Sequence, residues 1–168
     1  MERRGERHVT EFLVAAGHEP AVIRFAAETH TARATAEELG VPESRIVKSL
    51  VLVADGTTPV LALLPGHRRA DLALVGRALG ASRVRLASPE QVLSWTGYAV
   101  GSVPPVSHRQ KMRILVDEDI PRDGDIYPAA GEVNNAFRTT FASLLALSGG
   151  TAAALSRQDP LSVRDEAR

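Results

Sequence analysis

SRIVKSLVLV occupies residues 44–53, and a lysine interrupts its apolar run. Ile46, Val47, Leu50, Val51, Leu52 and Val53 form a nearly continuous aliphatic stretch, the pattern of a strand covered on both faces. An unpaired ammonium inside such a strand is costly. Lys48 therefore either snorkels to solvent or opens into a polar pocket that favours positive charge. Only two of the 20 basic residues, Lys48 and Lys111, are lysines. Lysine offers a compact charge with reorientable donors where arginine would impose a planar fork. The choice of lysine here favours chemistry over snorkelling.

Outward from this strand, Asp55-Gly56 predicts a tight turn and residues 59–64 a second strand, together a hairpin. Upstream, Val9, Phe12, Leu13 and Ala16 at helical spacing predict a helix over 4–16 that stops at Gly17. Residues 21–26 read as a strand. Thr31 is placed to cap a short helix ending at Gly40. Downstream, helices are predicted over 70–79, from Ser88-Pro89 onward, and over 140–147 with a stop at Gly149. Strands are predicted at 84–86, 114–116 and 126–129.

Strands and short helices alternate without a strict βαβ rhythm. The expected fold is α/β of the α+β type, a mixed, largely antiparallel sheet with helices around it. With 168 residues a single domain over 1–168 is expected, with a polar, frayed tail over about 157–168.

The chain has no cysteine, which excludes disulfides and thiolate metal sites and suits a cytoplasmic protein. No apolar run reaches the length of a membrane span, and MERRGERHVTEF lacks the apolar core of a signal peptide. Twenty basic residues balance 20 acidic ones, which argues against coating nucleic acid by bulk charge. None of the five histidines stands in a metal-ligand spacing, so no metal or other cofactor is expected. No Gly-x-Ser-x-Gly elbow is present, so hydrolysis here would use water directly.

Two further stretches invite chemistry. GYAVGSVPPVSH, residues 97–108, places Gly97 and Gly101 ahead of the stiff Pro104-Pro105 pair. Such a loop presents main-chain N–H groups to an oxyanion, carbonyl or phosphate, or is simply a turn. YPAAGEVNNAFR, residues 127–138, has small residues that leave room for a ligand or for close backbone packing. Its adjacent Asn134 and Asn135 offer amides or form a turn.

In this order, the stretches resemble the YbaK/ProX family of aminoacyl-tRNA deacylases, which includes the editing domain inserted in bacterial prolyl-tRNA synthetases. The likeness runs from about Val22 to Gly150. It is carried by Glu28-Thr29-His30, Leu39-Gly40-Val41, Ile46 to Val51 with Lys48, Thr96-Gly97-Tyr98 with Gly101 and Val103-Pro104-Pro105, Ala130-Gly131, and Leu144 to Leu147. The resemblance implies a mixed sheet or barrel-like core wrapped by helices, and hydrolysis of the ester joining a wrong amino acid to the 3′ end of tRNA. It implies no metal, and water attack assisted by the substrate's own ribose hydroxyl and phosphate. Aminoacyl-tRNA is the implied partner, and an aminoacyl-tRNA synthetase a further one.

On that reading Lys48 and Gly101 are the catalytic candidates. Lys48 neutralises phosphate or carbonyl, and the Gly101 loop donates to the oxyanion. His30, Ser49, Gly97, Ala129, Gly131 and Asn134 are the candidates for binding substrate. The chain departs from many relatives at Ser102, at Val106-Ser107 and at Ala129 and Ala136, which leaves the edited amino acid open. The other reading keeps the pocket without the reaction, as a binding module for aminoacyl-tRNA or a small aminoacyl ligand.

Overall fold

The computed structural model describes residues 2–160. Helix α1 (Glu6–Ala15) buries Val9 and Leu13, one turn apart, and ends where Gly17 takes a φ of 75°. Strand β1 (Val22–Arg24) follows, then α2 (Ala32–Leu39), with Thr31 Oγ1 accepting from the Ala34 N–H and left-handed Gly40 closing it. Strands β2 (Ile46–Ala54) and β3 (Thr58–Pro65) form the expected hairpin. At its tip Asp55 and Gly56 both have positive φ, 48° and 84°, as a turn matching the strand twist requires. Asp55 Oδ1 also accepts from the Ser82 and Arg83 N–H groups, tying the tip to the next layer.

Next come β4 (Arg68–Ala70), α3 (Leu72–Leu79), β5 (Val84–Leu86) and α4 (Pro89–Thr96). Ala70 pairs in β4, and the helix starts two residues later because Asp71 Oδ1 accepts from the Ala73 and Leu74 N–H groups. Ser88 and Gln91 cap α4 reciprocally, with Pro89 at its first position. Strands β6 (Arg113–Asp117), β7 (Tyr127–Pro128) and β8 (Asn135–Phe137), helix α5 (Phe141–Ser148), and strands β9 (Thr151–Ala153) and β10 (Ser156–Gln158) complete the chain.

The main sheet runs β5-β2-β3-β6-β9, with β7 added beside β2. Pairings of β2 with β3 and β5 are antiparallel, whereas β7 on β2, β6 on β3 and β9 on β6 are parallel. Antiparallel pairs β1–β8 and β4–β10 flank it. The sheet is open: β5 and β9 are its ends and do not pair, which corrects the barrel-like alternative.

Both faces are covered. Val47, Val51, Leu61, Leu63 and Val116 pack with Val9 and Leu13 of α1 and Phe141 and Leu144 of α5. On the other face Leu52, Val60, Ala62, Leu64 and Leu115 meet Val75 of α3 and Leu155. Two-sided cover explains the unbroken apolar run of β2. Arg157 and Gln158, expected within a frayed tail, are paired in β10; residues 161–168 of that tail lie outside the described residues.

Candidate active site

The edge of β2 opposite β3 is only partly occupied. β7 pairs at Ile46 and Val47, β5 at Leu52 to Ala54, and the Ala87 N–H donates to the Val51 carbonyl at 3.0 Å. Lys48, Ser49 and Leu50 are left without a strand on that side. Main-chain groups alternate along a strand, and those of Val51 and Asp55 point to this edge. The N–H and C=O of Ser49 therefore face the notch as well. A cavity of about 410 Å³ opens there, lined by Lys48, Ser49, Gly66, Gly101, Ala129 and Asn135 among others.

Lys48 is half-buried on the β2 face that carries Leu50 and Leu52, and its Nζ donates to the Gly66 carbonyl at 3.3 Å. Burial pushes its pKa below the ordinary lysine value. The carboxylates of Asp159 and Glu43 pull it back up, and Arg69 adds to the lowering. One long hydrogen bond leaves the ammonium with donors to spare. The lysine thus opens into a polar cavity lined by carboxylates as well as by apolar wall.

Ser49 projects to the other side of the strand. Its Oγ is buried and has no hydrogen-bond partner. An orphaned buried hydroxyl of this kind costs free energy in the folded chain.

Gly101 lies in the loop after α4, with φ at 89°; a Cβ there would touch nothing within 4 Å, so conformation and not space requires glycine. The Ser102 N–H and hydroxyl both go to the Ala99 carbonyl, at 3.0 and 2.9 Å. Gly101 itself lines the cavity, and no described group accepts from its N–H. The loop is braced from behind. Tyr98 Oη donates to the Ser107 carbonyl at 3.2 Å, His108 Nε2 lies 2.7 Å from the Pro104 carbonyl, and Arg4 Nη1 reaches Ser107. Ser107 takes a φ of 65°, in the left-handed region that favours glycine, and its Oγ donates to the His8 carbonyl.

Of the other expected residues, Ala129 lines the cavity and His30 stands exposed at its mouth, its Nε2 3.5 Å from Glu28 Oε2. Gly97, Gly131 and Asn134 are not brought to it. Gly97 is the left-handed cap of α4, packed on the Arg4 side chain. Gly131 supports the N-terminus of α1: a Cβ there would come within 2.9 Å of the Gly5 carbonyl carbon. Asn134 offers its carbonyl to the Phe25 N–H, and its neighbour Asn135 reaches the cavity wall instead. Asn135 is buried, its Oδ1 accepting from Ala130 and Glu132 and its Nδ2 donating to Glu6 Oε2 at 3.0 Å. Glu43, Gly66 and Asp159 were not anticipated; no motif marks them, and Asp159 is brought in by the distant pairing of β10 with β4.

Among the described residues no three His, Cys, Asp or Glu side chains come together as a metal site, and no helix is long and apolar enough to cross a membrane. An open mixed sheet is thus notched over a cavity whose lining includes one ammonium, a chemistry able to meet a carbonyl or phosphate oxygen.

The chain belongs to the aminoacyl-tRNA editing domain family, whose model matches residues 26–147. It is 37% identical to a proline--tRNA ligase of Nitratidesulfovibrio vulgaris over 109 residues, 65% of this chain and 19% of the ligase. The chain thus spans less than a fifth of the length of that relative. It is 28% identical to the "Putative Cys-tRNA(Pro)/Cys-tRNA(Cys) deacylase EbsC" of Enterococcus faecalis, over 77% of this chain and 79% of that one. A crystal structure described as "a putative trans-editing enzyme for prolyl tRNA synthetase" superimposes with a TM-score of 0.84 at 36% identity, covering 90% of this chain and 96% of that one.

Proposed function

We propose that this protein hydrolyses the ester between a wrongly attached amino acid and the 3′-terminal ribose of tRNA, acting in trans on a proline acceptor. The observation that carries the reading is that Lys48 and Gly101 line one cavity in a chain of the editing family. The prolyl acceptor is supported by the likeness to the proline--tRNA ligase, the Cys-tRNA(Pro) deacylase and the prolyl trans-editing relative.

An aminoacyl ester is already activated, so positioning and charge stabilisation suffice. Water adds to the ester carbonyl carbon, giving up its proton to the substrate's own hydroxyl and phosphate groups, as the family resemblance implies. Negative charge develops on the carbonyl oxygen, where Lys48 and the Gly101 N–H meet it. The tetrahedral species collapses as the carbon–oxygen bond to ribose breaks, and the ribose oxygen takes up the proton. Free amino acid and tRNA leave. Ser49 Oγ and its outward N–H hold the aminoacyl group against the β2 edge.

The test is release of amino acid from a panel of charged tRNAs that includes alanine, serine and cysteine on the proline acceptor. Turnover of at least one mischarged member, with prolyl-tRNA spared, is the expected result. Binding without turnover across the panel selects the non-catalytic binding module instead.

A further inference from the structure

The β4–β10 ribbon holds Arg69 directly opposite Arg157. Both are exposed, and neither guanidinium bonds a described residue. Like charges directly across an antiparallel pair are unfavourable. Nothing in the packing calls for them, since Arg68 already does the structural work. Arg68 Nε donates to Ser156 Oγ at 2.7 Å, its Nη2 to the Ser156 carbonyl at 3.1 Å, and its guanidinium stands 3.5 Å from Asp119 Oδ2.

The ribbon adjoins the cavity at one end. Gly66, two residues before β4, accepts from Lys48 and lines the cavity; Asp159, next after β10, lines it as well. Arg69 is near enough to act on the Lys48 ammonium. Arg69 and Arg157 thus stand across from each other on a ribbon whose near end, at Gly66 and Asp159, lines the Lys48 cavity. Each guanidinium offers a planar fork of donors suited to phosphate oxygens, and the cross-strand register sets two such residues next to one another.

We propose that the β4–β10 ribbon is a phosphodiester-binding shelf for the acceptor end of tRNA, with Arg69 and Arg157 holding the backbone phosphates that lead into the Lys48 cavity. This rests on the hydrolase reading for its partner. One strand of the shelf, β10, lies beyond residues 26–147, whereas β4 falls within the family-matched segment. It gives a chain of zero net charge a local grip on RNA.

The test compares wild type with Arg69→Gln, Arg157→Gln and the double variant. Affinity for an uncharged acceptor-stem hairpin with its single-stranded 3′ end is followed by fluorescence anisotropy across salt concentrations. The double variant is expected to bind on the order of tenfold more weakly at low salt, and the slope of log affinity against log salt to flatten by about 0.7–0.9 per lost contact. The ratio of kcat/KM on charged tRNA to that on an aminoacyl adenosine ester falls by a similar factor. Melting temperatures hold or rise as the like-charged pair is dissolved; a fall overturns the claim that the pair is unfavourable in the free protein. Unchanged affinity and salt slope overturn the shelf even where deacylation is intact. Guanidinium-dependent RNA binding without hydrolysis of any ester upholds the shelf and overturns the hydrolase reading.

Discussion

Lys48 Nζ stands 3.3 Å from the carbonyl oxygen of Gly66, a bond that ties the ammonium across the hairpin to the residue just past the end of β3. That bond fixes where the cation sits without using up its donors. Burial works against the charge, and Asp159 and Glu43 work for it. The site holds a cation that is poised, not saturated.

Stability should respond accordingly. Lys48 has a folded-state pKa below its unfolded value, so the unfolded chain binds more protons between the two. Stability therefore rises with pH through that window, and the penalty is fully present below it. Lys48→Met, which keeps the stem and removes the charge, should melt at or above the wild-type temperature at neutral pH, with the difference narrowing as pH approaches 10 (about the ordinary lysine value). Thermal denaturation across pH checks this, and a large destabilisation by Met would contradict it.

The same lowered pKa bears on catalysis. Deacylation, corrected for spontaneous ester hydrolysis, should fall on the alkaline side earlier than an ordinary lysine would dictate. Lys48→Arg should lose that alkaline limb while retaining only a small fraction of the rate, because a planar fork replaces a point charge. A pH–rate profile of both proteins measures it.

Ser49 separates stability from function. Replacing an orphaned buried hydroxyl by a methyl group should stabilise the fold by about 1 kcal/mol. Ser49→Ala should at the same time raise KM for the aminoacyl ester. Melting temperature and steady-state kinetics on one preparation read both signs.

Gly101 and Gly131, both at positive φ, should behave differently. Gly131→Ala meets both a φ of 98° and the Gly5 backbone at 2.9 Å, a cost of about 2–4 kcal/mol. Gly101→Ala meets open space at a φ of 89°, so its cost is conformational alone, about 1 kcal/mol. Its effect should appear in kcat through the displaced N–H. Denaturant unfolding alongside kinetics distinguishes the pair.

That contrast also marks how far the sequence could be read. The β2–β3 hairpin was legible because nine residues of β2 carry a two-sided apolar run and Asp55-Gly56 names its turn. Helix ends were legible because Thr31, Ser88 and Thr140 are local caps. Strands β4 and β10 were not, since three residues each carry no periodicity and their pairing joins distant segments, Arg68 and Ser156 being separated by 88 residues. Gly101 and Gly131 both read as permissive positions, and only packing tells the cavity loop from the α1 support. Asn134 and Asn135 are adjacent; which one turns inward is set by the pairing of β8 with β1. Lys48 was legible because a charge inside an apolar strand needs a local reason.

The most direct measurement is single-turnover release of the misattached amino acid from tRNA by wild type and Lys48→Ala, at matched melting temperature. Loss of an oxyanion-stabilising charge predicts a fall on the order of 10²–10³ in the chemical rate. An undiminished rate in Lys48→Ala would contradict the claim that this ammonium is what the cavity is built around.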